Sequence, residues 1–261
     1  SVSFLNPDKG ICVGGFGKIL LTYNGGLNWD SADSPTQNHL LSLYIIDSNT
    51  IVACGVERTI IKTTNFGNTW YRITNIADGY NLHYVQFIDK YTGFIASEST
   101  VILKTTNSGE SWFQLYQPFL SAEYYSLSFL DANTGHVVGD GNDPLSLIIK
   151  TTNGGLNWIR QRVILVNELR SVKFINSDTG LICGSGVVLR TTNGGENWTA
   201  SITINSSCAD ISFINNQIAY IVGGNGTIIK STNGGTNWIS QVSGTPDHLS
   251  GVSFVNEFTG Y

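Results

Sequence analysis

Four histidines, His39, His83, His136 and His248, are the residues best suited to metal ligation, yet no two stand at i, i+2 or i, i+4, the spacings that bring imidazoles onto one face. Cleaving a glycosidic bond takes two carboxylates set across a cleft, one as acid and one as base or nucleophile. Asp89, Asp131 and Asp178 each lie in a polar turn, where Asn176 and Asn256 recur in other copies, so they read as turn formers. Six arginines, Arg58, Arg72, Arg160, Arg162, Arg170 and Arg190, carry the planar fork that grips a carboxylate. Arg190, however, stands where Lys150 and Lys230 stand, which makes it a repeat residue. The segment GDGNDPLSL (139–147) offers Asp140, Asn142 and Asp143 as oxygen ligands for Ca2+. It lacks the later Glu that closes an EF-hand loop and reads as a solvated loop tip. This inventory predicts no catalytic residue and no cofactor.

The elements that would position such residues follow from a repeat, because self-similarity at a fixed period decides a fold before local pattern does. Each of the six tryptophans closes one phrase, Thr/Ser-x-Asn-x-Gly-x-x-Trp. Its copies carry Thr22, Asn24, Gly26 and Trp29; Thr63, Asn65, Gly67 and Trp70; and Thr105, Asn107, Gly109 and Trp112. The later copies carry Thr151, Asn153, Gly155 and Trp158; Thr191, Asn193, Gly195 and Trp198; and Ser231, Asn233, Gly235 and Trp238. Successive tryptophans are 41, 42, 46, 40 and 40 residues apart, the 139–147 segment accounting for the longest step. Upstream of the box runs an apolar-polar-apolar strand such as Val85-Gln86-Phe87 or Val172-Lys173-Phe174. A polar turn follows, then an apolar run closing on glycine (Leu181-Ile182-Cys183-Gly184), a third run entering the box (Ile148-Ile149-Lys150) and a fourth opened by the tryptophan.

Four short antiparallel strands joined by turns make a propeller blade. The expected fold is therefore all-β, a β-propeller of four-stranded antiparallel blades in a single domain spanning 1–261. Six complete blades are expected at 1–38, 39–79, 80–121, 122–166, 167–206 and 207–246, with a partial seventh at 247–261 in a seven-bladed ring. The ending VSFVNEFTGY (252–261) repeats a first and second strand already present at Val2–Phe4, so the chain reads as a processed or ordered fragment. Helix is excluded, since Gly and Asn interrupt every candidate run before an i, i+3, i+4, i+7 pattern can build. A parallel β-helix has shorter repeats without this hairpin signature.

Charged residues make up 13% of the chain and the net charge is −5, with no basic run, which argues against nucleic acid as a partner. No apolar stretch reaches the 18 residues of a membrane span. A surface rich in Asn, Ser and Thr suits a secreted or cell-surface protein. Of the four cysteines, Cys54 and Cys183 occupy positions held by Val138 and Val222 in sister copies, Cys12 stands one place earlier, and Cys208 falls where Leu169 and Leu249 stand. They read as small core residues, with a Cys183–Cys208 bridge as the alternative.

The box has a mechanical job. Asn accepts backbone N–H bonds in a tight turn, and the glycine supplies positive φ. The tryptophan buries on the order of 150–250 Å2, worth roughly 4–6 kcal/mol before chain entropy is set against it. The phrase resembles the Asp-box, or bacterial neuraminidase repeat, with Asn24, Asn65, Asn107, Asn153, Asn193 and Asn233 where that family more often has Asp. The whole unit resembles the Ycf48-like photosystem II assembly factor propellers and related secreted bacterial repeat proteins. That resemblance implies a non-catalytic assembly or scaffolding role, with partner binding through an arginine-rich face; here the arginines are few and spread. Sialidases share the Asp-box, but the Arg-Ile/Leu-Pro motif of that family is absent. Xyloglucanase-like hydrolases share it too, and no acid stands out here from its repeat neighbours.

Function in a repeat protein lies where the copies differ. The stretch WFQLYQPFLSAEYY (112–125) is one such place, and Phe113, Tyr116, Phe119, Tyr124 and Tyr125 form its candidate binding surface. The primary expectation is a secreted or surface module that binds protein partners or itself within a larger assembly. The alternative is a carbohydrate-active propeller, hydrolase or lectin, marked by two carboxylates facing each other within about 10 Å.

Overall fold

The computed structural model describes residues 1–74, 80–115, 122–141, 147–161, 163 and 168–261. The chain divides into two compact units, Ser1–Leu120 and Ser121–Tyr261.

The first unit holds three four-stranded antiparallel sheets, each a meander in chain order. They are β1 (Val2–Phe4), β2 (Gly10–Val13), β3 (Ile19–Thr22) and β4 (Asp30–Ala32); β5 (Leu40–Ile45), β6 (Ile51–Gly55), β7 (Thr59–Thr63) and β8 (Tyr71–Arg72); and β9 (Leu82–Phe87), β10 (Gly93–Ser97), β11 (Ile102–Thr105) and β12 (Phe113–Leu115). The second unit opens with a fourth such sheet, β13 (Glu123–Phe129), β14 (Gly135–Asp140), β15 (Leu147–Thr151) and β16 (Ile159–Gln161). A six-stranded sheet follows: β17 (Leu169–Phe174), β18 (Gly180–Thr191), β19 (Thr199–Phe213), β20 (Ala219–Gly223), β21 (Ile228–Ser231) and β22 (Ile239–Gln241). The hairpin of β23 (Phe254–Asn256) and β24 (Thr259–Gly260) forms a two-stranded sheet.

The blade architecture matches the sequence reading, and the count does not. Five sheets of four or more strands are present among the described residues, where the repeat predicts six complete blades. The fifth and sixth copies share one sheet because β18 runs on through Gly184-Ser185-Gly186, and β19 crosses the expected boundary at 206/207. Residues 199–213 contain no Gly or Pro to interrupt the strand.

Strand position within a blade sets burial. The second strands β6 and β10 are buried along their whole length, which is why they read as unbroken apolar runs. The fourth strands are short edges, exposed throughout in β8 and β22. The first strands of the second to sixth copies each carry a register shift near the start of the copy, between Leu40 and Ser42, for example, and between Tyr124 and Ser126. Core clusters span adjacent sheets within each unit: Ile11, Ile19, Leu40, Leu43, Ile51 and Phe66 in the first, and Val138, Ile148, Leu169, Val172, Ile182 and Val187 in the second. No helix is long and apolar enough to cross a membrane among the described residues.

Candidate functional site

Every box is the turn between a third and a fourth strand. In the fourth copy the Thr151 hydroxyl donates to Asn153 Oδ1 at 3.1 Å, and that oxygen also accepts the Asn157 N–H at 2.9 Å. Thr151 Oγ1 in turn accepts the Gly155 N–H at 3.0 Å. The same three bonds recur in each copy. The box glycine has φ between +76° and +86°, and the residue before it is left-handed too, including the non-glycines Phe66 (φ +52°) and Ser108 (φ +61°). In the first, third, fourth and fifth copies the tryptophan stands edge-on to the phenylalanine of its own first strand, as Trp158 does to Phe129 at 6.0 Å and 88°.

In three copies the residue just before the box reaches the next box. Lys150 Nζ donates to the Gly194 carbonyl and Arg190 Nε to the Gly234 carbonyl, both at 2.7 Å. In the first unit the buried Lys62 pairs with Glu110, whose carboxylate also accepts the Tyr71 hydroxyl at 3.1 Å. Lys62, through its hydrogen bond, holds the Glu110 carboxyl below the usual carboxylate range. His136, fully buried, stacks on Phe174 at 4.3 Å beside Gly195. Burial, then the neighbouring Lys150 charge, pushes its pKa down to about 3.

The expected aromatic surface is dispersed. Phe113 is half exposed on β12 of the first unit. Tyr116 and Phe119 lie outside the described residues. Tyr124 belongs to the second unit and is no surface residue: it is fully buried, in the register position of Leu40, Leu82, Leu169 and Cys208. Asp140 is exposed at the end of β14, and its expected co-ligands Asn142 and Asp143 lie outside the described residues. No group of three or more His, Cys, Asp or Glu that could hold a metal occurs among the described residues.

Tyr125 does belong to a site. Its hydroxyl donates to Glu123 Oε2 at 2.6 Å, and the Glu168 carboxylate is also within its reach. Arg170 closes the cluster, with Nη2 2.7 Å from Glu168 Oε1 and its guanidinium 4.6 Å over the Tyr125 ring. Burial, followed by the two carboxylates, pushes the tyrosine hydroxyl well above its ordinary range. Sequence reasoning missed Glu123 and Glu168, although the signal was available. Both precede the buried first residue of the first strand, a place held by His39, Asn81, Ser207 and His248 in other copies.

All four cysteines are free thiols. Cys54, Cys183 and Cys208 are buried, and the side chains of Cys183 and Cys208 are hydrogen-bonded to each other, with burial first and then Cys208 raising the Cys183 thiol.

A family model described as photosynthesis system II assembly factor YCF48 matches residues 27–122 and 118–207, more than half of the sequence. The chain belongs to the YCF48 family. A solved structure of YCF48 bound to D1 peptide is similar to it at 18% identity and TM-score 0.81, over 100% of this chain and 86% of the other. YCF48 from Cyanidioschyzon merolae is similar at 17% identity and TM-score 0.79, over 99% and 90%. The GH74 xyloglucanase from Xanthomonas campestris is similar at 13% identity and TM-score 0.72, over 98% of this chain and 47% of that one. No match was found among curated protein sequences. These likenesses establish the fold as an all-β propeller of four-stranded antiparallel blades. Within this member of the YCF48 family, the Glu123–Tyr125–Glu168–Arg170 cluster lies at positions where the copies differ in residue type.

Proposed function

We propose that the chain is a non-catalytic protein-interaction propeller of a secreted or cell-surface assembly, and that it binds an extended polypeptide segment at Tyr125 and Arg170. The observation that carries the reading is the state of the site where Glu123 and Glu168 converge. Arg170 already neutralises Glu168, and the Tyr125 hydroxyl is pushed up, the reverse of what a nucleophile needs. An aromatic ring under a guanidinium, flanked by carboxylates, suits the backbone and charged side chains of a peptide. The YCF48 structure with D1 peptide supports the same class of ligand. In this reading the boxes serve the fold, as their internally closed hydrogen bonds suggest, and the six-stranded sheet counts as two blades of one propeller domain, giving six complete repeats and the start of a seventh.

The competing reading is a carbohydrate-active propeller. It draws on the xyloglucanase likeness and on two carboxylates meeting at one tyrosine. One experiment separates them: the purified chain is assayed for release of reducing sugar from xyloglucan and probed against an array of extended peptides. Selective peptide capture that Tyr125→Ala abolishes supports the proposal. Sugar release that Glu123→Gln or Glu168→Gln abolishes overturns it.

A further inference from the structure

Where one copy meets the next, the fourth residue of its second strand packs with the opening residue of the following first strand. Val13 shares a core cluster with Leu40, Cys54 with Leu82, and Val138 with Leu169. Between the fifth and sixth copies both places hold thiols. Cys183 and Cys208 lie in one core cluster, and their side chains are hydrogen-bonded to each other. Cys208 stands where Leu40, Leu82, Tyr124, Leu169 and Leu249 stand, so no sister copy brings two sulfurs together at this joint.

Two charged groups gather at the same joint. Lys173 takes a place held by Tyr44, Ser128 and Ser212, and Asp210 a place held by Ser42, Ser126 and Ser171. Burial holds the Lys173 ammonium below its usual range, while the charges of Asp210 and Cys183 act against that. The Asp210 carboxylate is fixed in place, Oδ1 accepting the Ile211 N–H at 2.9 Å and Oδ2 the Val252 N–H at 3.1 Å. An ammonium and a carboxylate beside a thiol supply what sulfur chemistry needs, a counter-charge for the thiolate and an acceptor for its proton.

We infer that Cys183 and Cys208 are a dithiol that hydrogen peroxide closes to a disulfide, a reversible covalent staple between the fifth and sixth copies. The Cys183 thiolate, its proton passed to Asp210, attacks one peroxide oxygen. An S–O bond forms as the O–O bond breaks, and the other oxygen takes the proton from Asp210 and leaves as water. The Cys208 sulfur then attacks the sulfenic sulfur, the S–S bond forms, and the hydroxyl leaves as a second water with the Cys208 proton. Two thiols are oxidised and one peroxide is reduced to two waters. Burial raises the Cys183 thiol, so the reaction is slow beside that of an open thiol and takes an oxidant small enough to enter the core. Neither cysteine belongs to the Tyr125 cluster, so the staple stands or falls separately from the proposed function.

The test uses the 261-residue chain carrying Cys12→Ser, which removes the partly exposed thiol. After treatment with hydrogen peroxide the intact mass should fall by about 2 Da, the two hydrogens lost. Thiols titrated in denaturant should drop from three to one and return to three with dithiothreitol. Cys54 is the internal control: it is equally buried, at the same repeat position as Cys183, but it packs on Leu82 and should stay reduced. Cys208→Leu, the residue of the sister copies, should keep the fold and abolish the mass loss. Three thiols still titrating after peroxide, in a chain whose cooperative unfolding shows it is folded, overturn the inference. Oxygen added to Cys183 or Cys208 without a bridge overturns it, as does the same loss of thiols in the Cys208→Leu chain.

Discussion

Lys150 Nζ meets the carbonyl oxygen of Gly194 at 2.7 Å across 44 residues of chain, so the cation that ends one copy's third strand caps the next copy's turn. Substituting Lys150→Met keeps the apolar stem and removes the donor. Stability should fall by about 1–2 kcal/mol, the range for a partly buried hydrogen bond from a charged group. Urea unfolding would show this as a lower midpoint at unchanged slope; an unmoved midpoint would mean that water satisfies the carbonyl equally well.

Gly195 combines two demands, a φ of +76° and a Cβ position 2.4 Å from His136 Nε2. Gly195→Ala should destabilise by about 2–4 kcal/mol, left-handed strain and overpacking together. Gly244, also at positive φ (+77°) but with nothing within 4 Å of a Cβ, is the control and should show the strain alone.

His136 makes stability depend on pH. Its folded pKa is depressed to about 3, below the ordinary histidine value, so between those two values the unfolded chain binds the proton and the folded chain does not. The contribution of neutral burial is therefore complete above the unfolded pKa and is lost as pH falls toward 3. His136→Phe, which installs the residue that Phe94 supplies in the third copy, should remove a slope of about 1.4 kcal/mol per pH unit from that window. Parallel wild-type and variant curves between about pH 6.5 and 4 would refute the assignment.

The box asparagine acts through Oδ1, which accepts from Thr151 and Asn157 in the fourth copy. Asn153→Asp keeps that acceptor and should stay within about 0.5 kcal/mol of the parent, whereas Asn153→Ala should lose about 1–2 kcal/mol. Equal losses for both would place the stabilisation elsewhere in the turn.

Burial should silence three of the four thiols. Cys54, Cys183 and Cys208 are covered while Cys12 is partly open, so a maleimide should label Cys12 first in the native protein and all four in denaturant, with no reductant needed. Two thiols appearing only after reduction would show a Cys183–Cys208 bridge.

Blade strands are legible in the sequence because burial of one face imposes period two, and the boxes are legible because six turns of one geometry demand one set of residues. Composition places Tyr124 and Tyr125 together on a surface, but they are neighbours on a strand, so one faces in and the other out. Composition alone does not say which, whereas register against Leu40 and Leu169 does. The fusion of the fifth and sixth copies is hard to read because it depends on what is missing, a breaker between Thr199 and Phe213. Glu123, Glu168 and Arg170 come together only through the juxtaposition of β13 and β17, which no local pattern encodes.

The brace from Lys150 to Gly194 also bears on how such a gene can grow. Lys150 and Gly194 are 44 residues apart, about one period, so a duplicated unit of one repeat carries one cation and one acceptor carbonyl wherever it is cut, and the inserted copy arrives with matching surfaces on either side. Selection for repeats that can be added or lost without redesign favours keeping the cation in one copy and its acceptor in the next.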